Sequence, residues 1–269
     1  PYMSKVAAQP QEHVCAALRM ARAGLLHKDK QREGALTAML KSYIAFDVET
    51  TGLNPVENEI IEIGALKVRD GKVADRFMEF IRPQSPISAA ITDLTGITNE
   101  MVASARTRSQ VIPDFLDFCG DDVLVGHNVS FDYSFMKISA SKDGLPFEKM
   151  GIDTLKIAKK VHKDLDSKSL GRLCAYYHIE NKSAHRAYHD ALATAKLYQT
   201  LAHYFEEEDP KLFRPVQLVY KAKKPRPATQ KQISFLSSLI RKKGVQMDWD
   251  PVTITQSEAS RMIDELLKV

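Results

Sequence analysis

Apolar and β-prone residues between Tyr43 and Ile81 gather in three runs, Tyr43–Val48, Glu59–Arg69 and Lys72–Ile81, which read as strands. Asp70-Gly71 separates the second run from the third and signals a hairpin, so the chain opens an antiparallel three-stranded unit. Residues 88–118 read as short helices, and Asp121 to Val125 as a short buried strand that Gly126 ends. Helical spacing follows over 130–143, 153–162, 169–177 and 187–206, with Ser130 as an N-cap and Gly144 as a stop for the first. The pattern predicts an α/β fold, a mixed sheet covered by helices.

The flanks are different. In residues 1–41, Val14, Leu18, Ala21 and Leu25 repeat at near-helical spacing, which fits packing on the main domain or a partner. Pro210, Pro215, Pro225 and Pro227, interleaved with basic residues, suit an extended linker. Two capping-box sequences, Thr229 to Gln232 and Thr255 to Glu258, open a final helical pair. Its apolar stripes are Ile233, Leu236, Leu239 and Ile240, then Ala259, Met262, Ile263, Leu266 and Leu267. The expected divisions are 1–41, 42–208, 209–228 and 229–269. The last is close to the lower size limit for independent folding, so docking or marginal stability is expected of it.

Candidate chemistry starts in the first strand. Asp47 and Glu49 are two residues apart, so a strand projects both to one face, just before Thr50-Thr51-Gly52-Leu53 turns the chain. Two anions that close repel one another, and a hard divalent cation is their natural partner; two solvated acids at an exposed strand end are the plain alternative. Asp132 falls in the first turn of the helix after Gly126-His127-Asn128, where a carboxylate also serves as an ordinary helix-end acid. Asp190 lies early in the 187–206 helix, with His185 five residues before it and His189 beside it. Neighbouring helical positions diverge by about 100°. His189 and Asp190 therefore do not easily face one spot, and a surface position is expected for His189. His185, in the preceding loop, can fold back over a site, and Ser183, Ala184 and Arg186 are compatible with that loop being mobile and partly exposed.

Asp-x-Glu-Thr-Thr-Gly-Leu, His-Asn-x-x-Phe-Asp and His-x-x-x-x-Asp, in this order over about 140 residues, resemble the DEDDh exonucleases. This is the DnaQ-like group that includes the proofreading epsilon subunit and the exonuclease domain of Gram-positive replicative polymerases. The resemblance spans roughly residues 42 to 205 and fills all five signature positions, Asp47, Glu49, Asp132, His185 and Asp190. A sister subgroup carries Tyr four residues before the last Asp; Arg186 stands there in this chain. The resemblance implies a ribonuclease H-like fold and 3′→5′ hydrolysis of phosphodiesters with two Mg²⁺ or Mn²⁺ ions. It implies that Asp47 bridges the ions, that Glu49 and Asp190 complete one site, that Asp132 supports the other, and that His185 is the general base. It also implies that Thr50, Thr51, Gly52 and Leu53 meet the 3′-terminal nucleotide, with Asn128 and Phe131 shaping the groove and Leu94 to Thr98 beside it. A turn amide and a core aromatic are the plain readings of Asn128 and Phe131.

Charge adds one distinction. Residues 42–209 hold 19 Lys and Arg against 26 Asp and Glu, a net of −7, whereas residues 210–269 hold 12 against 5, a net of +7. Basic ends on an acidic domain suit phosphate attraction, with Lys221–Arg226 and Arg241–Lys243 as candidate nucleic-acid contacts; a solvated surface is the plain alternative. Cys15, Cys119 and Cys174 are distant and odd in number, which suggests neither a disulfide framework nor a zinc ribbon and fits a reduced cytoplasmic setting. No apolar run approaches a membrane span, and no Walker-type phosphate loop is present. The expected partners are single-stranded or 3′-terminal DNA and a polymerase or other replication or repair protein. RNA as the substrate, in the manner of oligoribonuclease or ribonuclease T, and an inactive nucleic-acid-binding scaffold are the alternatives.

Overall fold

A computed structural model describes residues 39–181, 185–221 and 226–268. The expected helical stripe at Val14 to Leu25 lies outside the described residues, as do Cys15, Ser183, Ala184, Lys223 and Lys224. The chain divides into two compact units, residues 1–220 and 221–269.

The first unit is built on a seven-stranded mixed sheet. Its strands are β1 (Tyr43–Thr50), β2 (Ile60–Arg69), β3 (Lys72–Arg82), β4 (Arg106–Thr107), β5 (Leu124–Gly126), β6 (Met150–Asp153) and β7 (Val216–Gln217), in the spatial order β4-β3-β2-β1-β5-β6-β7. β1, β2 and β3 pair antiparallel through the Asp70-Gly71 turn, in which both residues take positive φ. β5 and β6 continue parallel to β1. The expected α/β architecture is present, with three strands the hydropathy pattern did not announce. β4 and β7 are two residues each, and β6 is four residues containing Gly151, too short to display a period.

Helices cover both faces. Successive β1 residues alternate sides. Ile44, Phe46 and Val48 enter a core with Val111, Ile112 and Phe115 of α3 (Arg108–Cys119) and Tyr133 and Met136 of α4 (Val129–Ser141). Tyr43 and Ala45 face the other core, with Ile157 of α5 (Thr154–Val161), Leu173 of α6 (Leu170–Tyr177) and Ala191, Ala195 and Tyr198 of α7 (Ala187–Phe205). Tyr43 and Tyr198 meet edge to face at 5.2 Å between ring centroids. The short α1 (Ala89–Thr95) and α2 (Asn99–Ala103) are capped by Ser88 and Thr98, and Gly96 ends α1 at φ 73°.

One glycine sets the distance between α7 and the sheet. A Cβ on Gly64 of β2 would stand 2.0 Å from the Tyr188 backbone nitrogen, so only glycine lets the first turn of α7 lie this close. Gly64 is paired with Asp47 in the β1–β2 register.

Two boundaries differ from the sequence reading. Ser130 does not cap α4. Asn128 does so from a left-handed backbone (φ 72°, ψ 43°), a conformation that asparagine tolerates, and Ser130 joins the first turn. The expected linker begins later than residue 209, because the prolines there sit in ordered structure. Pro210–Phe213 is a 3₁₀ turn, Phe213 is fully buried, and Leu218 joins the first core beyond β7. Burial of Phe213 and Leu218 outweighs the extended preference that Pro210 and Pro215 suggest.

The second unit contains α8 (Gln230–Lys243) and α9 (Gln256–Lys268). Thr229 and Gln232 form the first capping box, and Gly244 closes α8 in the left-handed region. Thr255 and Glu258 form the second box. Leu236, Leu239, Ile254, Ala259, Met262 and Leu266 make its core, with Trp249 packed alongside. Leu267, read as part of the stripe, is exposed instead, since α9 turns only one face inward.

Phe213→Ala is expected to destabilise the first unit by about 3–5 kcal/mol in urea unfolding, as truncation of a buried aromatic does. A loss under 1 kcal/mol, about what an exposed site gives, would return residues 210–220 to the linker.

Candidate active site

β1 outruns its parallel neighbour. β5 pairs only with Ile44 and Ala45, so the last half of β1 has one free backbone edge. Asp132, in the first turn of α4, fills it: its Oδ1 accepts the Val48 N–H at 3.1 Å. A buried N–H without a partner would be costly, and the bond fixes Asp132 between Asp47 and Glu49 along the strand. The ladder to β2 is irregular just after, between Glu49 and Thr50, where Glu49 faces Glu62 and Thr50 faces Ile60. Bulges of this kind re-aim side chains beside a site.

Asp47 and Glu49 continue the face of Tyr43 and Ala45, the face that α7 covers. Asp190, buried in the first turn of α7, therefore points at them. Its Oδ1 accepts from Asn181 Nδ2 at 2.7 Å and its Oδ2 from the His185 backbone N–H at 2.8 Å. Each oxygen keeps a lone pair for another partner. Donor atoms of Glu49, His185 and Asp190 lie within 4.8 Å of one another. Asp47 and Asp132 stand outside that mutual reach but are coupled to it through charge.

The electrostatics follow from this crowding. Burial first, then the charges of Asp132, Glu49, Asp190 and Glu62, hold the Asp47 carboxyl well above the usual carboxylate range. Burial, Asp190 and Glu62 push Glu49 up to about 8, with Arg186 pulling the other way. Asp132 is also raised well above its ordinary value by burial, against the hydrogen bonds from the Val48 and Asp132 backbone N–H groups. Four carboxylates, three of them strained toward the neutral form, are a donor set that a hard divalent cation fits.

Glu62 is a fifth acid, which the sequence reading missed. It is 6% exposed, directly across from Glu49. Its Oε1 accepts Arg186 Nη2 at 2.9 Å and its Oε2 accepts the Ala187 N–H at 3.1 Å. The ion pair seats Arg186 over Phe80, 5.4 Å from the ring centroid, and Glu62 supplies the side-chain cap that the N-cap residue Arg186 does not give α7. Arg186 is partly exposed, as expected, but it is an anchor rather than part of a mobile loop, because Glu62 of β2 holds it. A charged residue inside Ile60-Ile61-Glu62-Ile63 was the available signal; Asn181, in a loop, gave none.

His185 is exposed, and its backbone takes φ 62°. A non-glycine residue rarely sits there, and here the bond from its N–H to Asp190 holds it. His189 is not a plain surface residue, since its Nδ1 is buried without a hydrogen-bond partner in the described structure. His127 is pinned from both sides, Nδ1 to Thr154 Oγ1 and Nε2 to the Lys168 carbonyl, each at 2.9 Å.

The substrate-side residues divide. The Thr50 hydroxyl donates to the Gly52 carbonyl at 2.6 Å, whereas the Thr51 hydroxyl accepts the Glu59 N–H at 2.9 Å. Thr51 thus keeps its hydrogen for another acceptor, and Thr50 does not. A Cβ on Gly52 would meet Asn58 Oδ1 at 2.3 Å, so the turn closes against that amide. Leu53 is 85% exposed. Asn128 is exposed, and its backbone N–H bonds Asp153 Oδ1 at 3.0 Å. Phe131 packs on the first core, 5.0 Å from Phe135 between centroids, which favours its core reading.

Residues 44–198 match the Exonuclease family profile. The chain belongs to the exonuclease family. The DNA polymerase III PolC-type of Caldanaerobacter subterraneus subsp. tengcongensis is 44% identical to this exonuclease over 156 residues. That of Bacillus subtilis is 43% identical over 160 residues. Both alignments cover 58% of the exonuclease chain, which spans 11% of either relative's length. Among solved structures, exonuclease X in complex with 5′ overhanging duplex DNA superposes with a TM-score of 0.51 at 28% identity, over 61% of this chain and 92% of that one. The nuclease domain of 3′hExo, a DEDDh family member bound to rAMP, shares the fold at a TM-score of 0.54 and 22% identity, over 66% and 98%. The expected α/β architecture, a mixed sheet covered by helices, is the one found, and it is the fold of that nuclease domain.

Two outcomes test the electrostatics. A carboxyl whose pKa rises on folding stabilises the fold most at low pH and loses that contribution as pH climbs. For Glu49 the window runs from its unfolded value of 4.5 to about 8. Without metal, the melting temperature should fall as pH rises through that window, and Mg²⁺ or Mn²⁺ should restore it more at the upper end than at the lower. An equal metal response at both ends would contradict the clustering. Arg186→Met should cost about 1–3 kcal/mol in urea unfolding, because it strands the buried Glu62 carboxylate.

Proposed function

We propose that this chain is a metal-dependent exonuclease that hydrolyses the terminal phosphodiester at 3′ ends of DNA and releases nucleoside 5′-monophosphates. One observation carries the reading. Asp47, Glu49, Asp132 and Asp190, drawn from three distant segments, crowd one end of β1, the first three with carboxyls pushed toward neutrality, and His185 stands beside Glu49 and Asp190. Clustering this unfavourable has a purpose if cations offset it.

Asp47, Glu49 and Asp190 would hold one Mg²⁺ or Mn²⁺, with Asp47 shared with a second that Asp132 supports. When bound, such a pair activates water and stabilises charge on the phosphoryl oxygens. The chain's own groups do the rest. Asp132 has one oxygen engaged by Val48 and the other available for ligation. His185 takes the proton of the attacking water. Its ring is exposed and lies beside Glu49 and Asp190, where a solvent-connected base can pass that proton on. The exposed Leu53 side chain offers an apolar surface to the terminal base, and the Thr51 hydroxyl can donate to its phosphate. DNA is favoured over RNA because the region matches proteins named DNA polymerase III PolC-type and exonuclease X is solved on DNA. A polymerase or another replication or repair protein is the partner implied.

Asp47→Ala and Asp190→Ala should each reduce nucleotide release from a 3′-labelled strand by at least about a thousandfold, roughly 4 kcal/mol of transition-state stabilisation, while the protein stays folded. His185→Ala should lower the rate by about 10²–10⁴-fold and spare metal binding measured by calorimetry. His189→Ala should retain most activity; a His189 variant as inactive as the His185 variant would assign the base wrongly. Digestion of matched DNA and RNA strands, each with a 3′ or a 5′ label, tests polarity and sugar together. Failure to release nucleotides with either metal would leave a binding scaffold.

A further inference from the structure

Asn181 follows a helix end that is firmly held. His178 closes α6 from the left-handed region, the Ile179 N–H donates to the Cys174 carbonyl at 2.8 Å, and the Ile179 side chain packs against the second core. Two residues on, Asn181 is half-buried, and its Nδ2 donates to Asp190 Oδ1 at 2.7 Å. The other oxygen of Asp190 accepts the His185 backbone N–H at 2.8 Å. One donor on each oxygen resists rotation of the carboxyl plane, and a lone pair on each oxygen stays open.

The amide of Asn181 is satisfied on one side only. Its Oδ1 is buried and has no hydrogen-bond partner in the described structure. A carboxylate accepts and does not donate, so the amide has one productive orientation, with Nδ2 toward Asp190. Its carbonyl oxygen is thereby turned to a place that offers no donor. A buried acceptor left in that state is destabilising, whereas an apolar side chain of similar shape avoids the loss. The arrangement costs stability at Asn181 and gains order at Asp190. Asp190 is the acid whose donor atom lies within 4.8 Å of those of both Glu49 and His185.

We propose that Asn181 is a positioning residue: its amide N–H aims the Asp190 carboxylate at the cation shared with Glu49, and so sets the metal affinity on which hydrolysis depends. It acts through Asp190 rather than on the substrate. The role rests on the nuclease reading for the reaction it serves, and metal binding is read separately from turnover. Hydrogen-bond partners of metal ligands typically contribute about 10–100-fold to metal affinity.

The experiment uses the full chain and two variants. Asn181→Leu is close in shape and removes both the donor and the orphaned acceptor. In Asn181→His, the ring Nδ1 stands as many bonds from the backbone as the asparagine nitrogen and can donate in its place. Calorimetric titration with Mn²⁺ in the absence of nucleic acid reads the metal site, and urea unfolding in EDTA reads the fold. Nucleotide release from a 3′-labelled strand over a range of Mn²⁺ concentrations reads the reaction. Asn181→Leu should bind Mn²⁺ about 10–100-fold more weakly and need proportionately more Mn²⁺ to reach half its maximal rate. Its KM for the strand should be unchanged, and its urea midpoint should equal or exceed the parent's. Asn181→His should recover part of the lost affinity. Unchanged Mn²⁺ affinity in a folded leucine variant would overturn the proposal. So would equal loss in both folded variants, because donation would then not be the property that matters. If the leucine variant does not fold, Asn181→Ala carries the same expectation and the same refutation. A parent chain that binds Mn²⁺ yet releases no nucleotide would defeat the nuclease reading alone, and the calorimetric comparison would still decide the role of Asn181.

Discussion

Like charge held against like charge is the constraint on which this structure turns. Asp47, Glu49, Asp132 and Asp190 are brought to one strand end, and Glu62 is placed directly opposite Glu49. Water would ordinarily disperse such a group. The fold assembles it through contacts that do not depend on the acids being comfortable. Tyr43, Ala45, Ala191 and Tyr198 bury one face of β1 under α7, and Ile44, Phe46 and Val48 bury the other face under α3 and α4. Apolar burial on both faces of the sheet supplies the free energy, and the acids ride at the end of elements it has fixed.

Small features then set the aim. Gly64 lets α7 approach until the backbone of its first turn touches the sheet. Arg186 neutralises Glu62 and ties the start of α7 to β2. Asp132 occupies the edge that β5 leaves unpaired. Asp153 does comparable work next door, its Oδ1 accepting from the backbone N–H groups of both Asn128 and Leu155 so that the end of β6 and the starts of α4 and α5 meet at one point. The ionisable groups therefore fall into two classes by their partners. Glu62 and Asp153 are satisfied within the protein and hold structure. Asp47 and Glu49 form no ion pair among the described residues, and burial with the neighbouring acids raises both toward the neutral form.

By itself the sequence determined the three antiparallel strands, most helix positions and the five signature residues. These are local signals: β-prone runs, caps such as Thr229 and Thr255, and acids two residues apart in a strand or set in a first helical turn. Tertiary structure alone decided what those acids meet. Nothing near Glu62 in the chain announces Arg186, which is 124 residues away, and nothing near Val48 announces Asp132, which is 84 away. It also decided that Phe213 belongs to the core despite its prolines, that β6 exists at all, and that Asn181 supports Asp190. The physical reason is one of range. Periodicity and capping depend on neighbours within a turn or two, whereas burial, charge pairing and backbone satisfaction depend on which distant surfaces the hydrophobic core has pressed together.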